Sequence, residues 1–275
     1  MGLKGIEGYQ VQVEVQLIPG TEGVNIVGVP DASVKECKDR VMAALYANDV
    51  QIPDKKVVIN LSPAEERKNS PIFDLAMAIG VMKEAGEIKH PIPNGAAFLG
   101  VLSLDGSIKP VDGMLPSIIA ARKEGLKILY LPHIPGVQLD TIDGIEFRFV
   151  ESLQEVITSF SGQLSTSIIS KNTSIKSSTK LPTYEKDFQY VIGHKQAKRA
   201  LEIAAAGGHN VLMVGPPGCG KSLLAENFPS ILPPLSQEQQ FDVMSIYQLA
   251  GVRNPNFQVP PFRDPYHSLC DINRG

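Results

Sequence analysis

"VLMVGPPGCGKSLLAEN", residues 211–227, decides how this chain is read. Four apolar residues run into a loop of glycine and proline, and a Lys-Ser pair then opens a helical stretch. Gly215 to Ser222 fits the spacing G-x-x-x-x-G-K-[ST]. Each position has a physical task. Gly215, Gly218 and Gly220 let the backbone curl with its N–H groups turned inward, which makes a concavity for an anion. Pro216, Pro217 and Cys219 fill the variable places between them. Lys221 brings a point charge to the β and γ phosphates, and Ser222 offers a hydroxyl to Mg²⁺. The first turn of the following helix adds its positive end, worth about 0.3–1 kcal/mol for a well-placed anion. A ligand-free Gly-rich turn matches the same spacing. The apolar run before the loop and the helix after it decide for a nucleotide site. "VLMV" is expected as a short buried strand feeding the loop.

A chain of 275 residues is long enough for one large or two ordinary domains. The composition, 43% hydrophobic and 20% charged with mean hydropathy near zero, is that of a soluble globular protein. No apolar run approaches the roughly 20 residues of a membrane-spanning helix. "MGLKGIEGYQVQVEV" turns to strand-like alternation before a signal-peptide core forms, and Ile6 stands where a myristoylation signal has Ser or Thr. Cys37, Cys219 and Cys270 are far apart, which reads as reduced thiols in a cytoplasmic protein. A net charge of −3 gives no global pull toward nucleic acid.

"SGQLSTSIISKNTSIKSSTK", residues 161–180, is half Ser or Thr and carries Lys171, Lys176 and Lys180 without an acid. It reads as a flexible, locally basic linker. An α+β domain is expected before it. "QVQVEVQLI" alternates as a half-buried strand with Val11, Val13, Val15 and Leu17 on one face, and "VNIVGVP" reads as the next. Asp31 is placed to cap a helix whose Val34, Cys37, Val41 and Leu45 form an inward stripe. "KKVVINLSP" is a strand, "FDLAMAIGVMKEAG" a helix closed by Gly86, and Asp105-Gly106 the turn of a hairpin. "EERKNS", residues 65–70, reads as a solvated charged loop. After the linker, Ala197, Ala200, Leu201 and Ala204 mark a helix that gives way at Gly207-Gly208.

"VIGHKQAKRALEIAAAGGHNVLMVGPPGCGKSLLAENFPSILPPLS", residues 191–236, resembles the start of the AAA+ module of magnesium-chelatase-like ATPases, above all the competence-associated ComM (YifB) group. "VGVPDASVKECKDRV", "FDLAMAIGVM" and "LGVLSLDGSIKPVDGMLP" are similar to the N-terminal domain of the same group. The resemblance implies a Lon-protease-like α+β domain over residues 1–160, a linker over 161–186 and an incomplete α/β P-loop (AAA+) domain over 187–275. It implies ATP and Mg²⁺ as cofactors, with the ATP phosphates on Gly215, Pro216, Pro217, Gly218, Cys219, Gly220, Lys221 and Ser222 and the Mg²⁺ on Ser222. Val191, Ile192 and His194 are candidates to flank the adenine, and His194 reads equally as a helix cap. It further implies a homo-oligomer, hexameric in full-length members, that uses ATP to drive branch migration of DNA during natural transformation.

A Lon-type peptidase needs a Ser nucleophile and a Lys base. Aligned on Pro71, the nucleophile position holds Ile72 and Ser70 falls on the wrong side of the proline. The lysine position holds Leu115 or Pro116. A scaffold for oligomerisation or DNA handling is therefore expected of this domain rather than peptide cleavage. The family's acidic Walker B strand is not found after Ser222, where Glu226, Glu238 and Asp242 stand in helical or Pro-rich contexts. "PFRDPYHSLCD" matches the family's Phe-Arg-x-Pro-His-His segment at Phe262, Arg263, Pro265 and His267, with Tyr266 replacing the first His. The chain is expected to be a truncated member that does not hydrolyse ATP alone. The alternative to a motor segment is an assembly or DNA-binding module with an incomplete nucleotide site. Insertion of Mg²⁺ into a porphyrin is disfavoured, because the chelatase motor subunit begins near its AAA+ core.

Overall fold

The computed structural model describes residues 1–21, 23–135, 137, 139, 142–160, 184–252 and 259–263. It divides the chain into two units, Met1–Ile175 with Gln248–Gly251, and Lys176–Tyr247 with Val252–Gly275. Residues 161–183, with Lys171, Lys176 and Lys180, lie outside the described residues, as do Pro265, Tyr266 and His267.

The first unit opens with a hairpin of β1 (Gly2–Lys4) and β2 (Glu7–Tyr9), whose glycines gave no strand signal in the sequence. β3 (Gln12–Ile18) shows the expected alternation. β4 (Gly23–Val27) leads into α1 (Ala32–Ala47), and the chain returns through β5 (Lys56–Ser62). β5 lies between β3, antiparallel to it, and β4, parallel to it. Its Val57, Ile59 and Leu61 are buried at period two, as a central strand requires. Asp31 caps α1, its Oδ1 accepting from the Val34 N–H at 3.0 Å. Val34, Cys37, Val41 and Leu45 are buried as the spacing predicts, and Ala44 joins them. α2 (Asp74–Ala85) ends at Gly86, which takes φ 84, a left-handed conformation that favours glycine.

A second sheet is all parallel, with β6 (Ala96–Phe98), β9 (Ile128–Leu131) and β10 (Glu146–Phe149) in the order β10-β9-β6. The expected hairpin is β7 (Val101–Leu102) and β8 (Ile108–Lys109), with the Asp105 carboxylate accepting from the Ser107 N–H at 2.9 Å in the turn. α3 (Met114–Lys123) and α4 (Leu153–Phe160) complete the unit. Tyr130 on β9 stacks on Phe98 at 4.8 Å and meets Phe160 at 5.6 Å. This unit is mixed α/β.

Two buried polar groups knit its elements. Asp74, wholly inaccessible, accepts from Arg40 Nε at 2.9 Å, Arg40 Nη2 at 3.3 Å and the Leu102 N–H at 3.2 Å. It thereby ties α2 to α1 and β7. Burial pushes the Asp74 carboxyl up, and Arg40 opposes that shift. Lys68 corrects the expectation of a solvated 65–70 loop, because its side chain is fully buried and Nζ donates to the Pro63 carbonyl. The cause is backbone pairing that composition does not reveal. The Lys68 N–H donates to the Val29 carbonyl at 3.4 Å, and its own carbonyl accepts from the Asp31 N–H at 3.1 Å. The lysine stem is drawn inward with the loop.

In the second unit, a 3₁₀ turn at Phe188–Tyr190 precedes α5 (Lys195–Gly207), and a second at Phe228–Ile231 lies between α6 (Lys221–Asn227) and α7 (Gln237–Leu249). Phe188, Val191, Leu201, Ala204, Ala205, Leu224 and Phe228 make its core. α5 turns Ala205 inward rather than Ala200, which is exposed. The expected strand at 211–214 is not formed among the described residues. Leu212 is 83% and Val214 88% exposed, and only Met213 packs against the core. A parallel strand is defined by hydrogen-bonded neighbours on its edges and cover on both faces. The described residues of this unit supply neither a neighbouring strand nor a second cover.

Candidate nucleotide site

The loop 215–222 is positioned by α6, which is anchored by buried Leu224 and Asn227. Asn227 Nδ2 donates to the Leu223 carbonyl at 2.7 Å and holds the last turn. Gly218 at φ 77 and Gly220 at φ 85 are left-handed, as the curl predicted from the sequence needs. Gly215 is not left-handed, and its reason to be glycine is a close contact. A Cβ there would lie 3.0 Å from Cys219 Sγ, closer than side chains normally pack.

Lys221 Nζ donates to the carbonyls of Gly215 and Pro216, both at 2.9 Å, and to Cys219 Sγ at 3.6 Å. The ammonium thus closes the loop into a ring and carries its charge across it. The Ser222 hydroxyl is on an exposed residue one position further on. Left-handed glycines, a cation spanning the loop and an accessible hydroxyl fit a polyphosphate with its Mg²⁺. Phosphate oxygens would take the lysine N–H groups from the two carbonyls, and Ser222 would be the protein's ligand to the ion.

Of the three residues expected beside the base, Val191 is 2% exposed and belongs to the core, whereas Ile192 is 92% exposed. His194 adopts φ 51 directly after Gly193 at φ 82. Its ring lies against the loop, since a Cβ on Gly220 would fall 3.1 Å from His194 Nε2. This approach joins residues 26 positions apart and has no signal in the spacing of the sequence. Glu226 pairs with Lys186 at 2.7 Å on the surface, and Glu238 and Asp242 stand exposed on α7.

The positions aligned with a Lon dyad lie elsewhere, in the first unit. Ile72 and Leu115 are core side chains at 2% and 0% exposure, and Pro116 is buried on α3. The Ser70 hydroxyl accepts from the Ile72 N–H at 3.4 Å and caps the Pro71–Phe73 turn. No helix among the described residues is long and apolar enough to cross a membrane.

Two family descriptions match the chain, subunit ChlI of Mg-chelatase over residues 13–134 and magnesium chelatase, subunit ChlI, over residues 187–273. An uncharacterized protein of Mycobacterium tuberculosis is 34% identical over 271 residues, 98% of this chain and 53% of its own. Competence protein ComM of Haemophilus influenzae is 33% identical over 272 residues, 96% of this chain and 52% of its own. Lon protease 2 of Bacillus subtilis is similar over a part only, 28% identical across 54% of this chain and 29% of its own. The chain spans about half the length of the relatives that match it nearly end to end.

Proposed function

Because this chain belongs to the magnesium-chelatase ChlI-like family, which competence protein ComM shares, we propose that it binds Mg-ATP on Gly215–Ser222 as part of an AAA+ motor acting on DNA. The observation that carries this reading is the loop itself, with left-handed Gly218 and Gly220 and the Lys221 ammonium held across its first carbonyls. Lys221 holds the β and γ phosphates, Ser222 the Mg²⁺, and exposed Ile192 lies along the base. Bound Mg-ATP supplies the phosphoanhydride whose cleavage drives a motor of this type. The first unit, Lon-like in descent, serves assembly into a ring of copies, six in the full-length protein, or the handling of DNA. Branch migration of recombining strands is the activity this reading assigns to the whole protein, in the cytoplasm. A second reading, nucleotide binding for assembly without hydrolysis, is favoured by the exposed 211–214 segment.

The test is calorimetric titration of the chain with Mg-ATP beside the Lys221→Ala variant. Saturable binding that disappears in the variant is expected. Equal affinity in both would remove the loop as the site. Phosphate release measured in the same samples separates the two readings.

A further inference from the structure

His194 is held in a backbone conformation that non-glycine residues seldom take, and it performs no structural task that explains this. Its φ 51 and ψ 38 are left-handed, and it follows Gly193, left-handed as well. It occupies the N-cap position of α5, yet its side chain makes no capping hydrogen bond. Only its backbone carbonyl serves the helix, accepting from the Lys198 N–H at 2.8 Å. The imidazole is exposed and has neither a hydrogen bond nor an ion pair to another described residue.

What the two left-handed residues achieve is placement of the ring. A Cβ built on Gly220 would meet His194 Nε2 at 3.1 Å, Cε1 at 3.6 Å and Cδ2 at 3.8 Å, so the Nε2 edge of the imidazole faces that residue. Gly220 is the last glycine of the loop, immediately before Lys221 and Ser222. The polar edge of the ring therefore lies at the level of the phosphates. A base is set off from the β phosphate by the α phosphate and a ribose.

We propose that His194 is a phosphate-binding residue, donating from Nε2 to a phosphate oxygen of a nucleoside polyphosphate seated in the loop, and not a residue that flanks the base. The proposal rests on Gly215–Ser222 being a nucleotide loop. It makes His194 a reader of the polyphosphate chain, indifferent to which base is attached.

Calorimetric titrations with inorganic tripolyphosphate, Mg-ATP and Mg-GTP test it on the unaltered chain and on His194→Gly and His194→Asn. Glycine removes the ring and accepts φ 51 without strain, so the turn into α5 is kept. Asparagine tolerates the same conformation and returns an N–H donor. His194→Gly is expected to weaken all three ligands by one common factor, about tenfold for a hydrogen bond to a charged oxygen. His194→Asn is expected to recover part of that loss. Weakened Mg-ATP with unchanged tripolyphosphate would overturn the proposal in favour of a base contact. Unchanged affinity for every ligand would overturn it outright. If the unaltered chain took up none of the three, the loop reading itself would fall, and the role of His194 with it.

Discussion

Replacing Arg40 by methionine leaves the Asp74 carboxylate in the interior with the Leu102 N–H at 3.2 Å and the Cys37 thiol as its remaining hydrogen-bond partners. Asp74 is wholly buried, and the Arg40 side chain that now neutralises it is 26% exposed. Removing one partner of a buried ion pair costs about 3–5 kcal/mol. Some water reaches Arg40, so the lower end, about 3 kcal/mol, applies. For a unit of this size that is a fall in Tm of about 6–12 °C. Burial already raises the Asp74 carboxyl, and loss of Arg40 raises it further. An acid whose folded-state pKa lies above its unfolded value, about 3.9, gives stability that is present below that value and lost as pH rises through the folded one. The deficit of Arg40→Met is therefore greatest at neutral pH and shrinks on acidification, as Asp74 takes up a proton. Urea denaturation at pH 7 and pH 5 measures it, with hydrogen exchange on the amides of α1 and α2 showing that the first unit is what unfolds. Arg40→Met with Asp74→Leu should regain at least half the loss, because no charge is then stranded. A deficit below about 1 kcal/mol at pH 7, or one that does not change with pH, would refute the role given to this pair.

Two further outcomes follow from the first unit. A Cβ at Gly28 would run into the Leu61 carbonyl, and the residue sits at φ 98, so Gly28→Ala should destabilise by on the order of 3 kcal/mol from overpacking and left-handed strain together; an unaltered melting temperature would contradict this. Cys37 is buried, and burial pushes its thiol up, so in a Cys219→Ser, Cys270→Ser background it should react with a disulfide reagent only as fast as the unit opens. Labelling of the native chain at the rate of a free thiol would place Cys37 at the surface.

Local signals fared well wherever a residue's task is set by its near neighbours. The Asp31 cap, the Val34–Leu45 stripe, the Gly86 terminus and the Asp105-Gly106 turn each depend on a few consecutive positions, and each stands as the residues predict. Partners far along the chain were not legible. Lys68 looks like a solvated cation in "EERKNS" until the backbone of residues 29–31 pairs with it. "VLMV" is apolar enough for a strand, but hydrophobicity does not supply the neighbouring strand that would make it one. In the candidate site the curl of loop 215–222 is local, and its left-handed Gly218 and Gly220 stand where the spacing puts them. Its environment was not. That Val191 belongs to the core, and that His194 reaches Gly220, depends on how α6 packs against α5.

The ring that Lys221 closes with Gly215 and Pro216 changes what its removal measures. An ammonium bonded to two carbonyls keeps the loop near one shape, so an anion that bound there would cost little further ordering entropy. Alanine at this position deletes the charge and also frees the loop to wander. The affinity lost in Lys221→Ala would then combine the attraction between lysine and phosphate with the loop ordering that the ring provides, less the two carbonyl bonds that phosphate would displace.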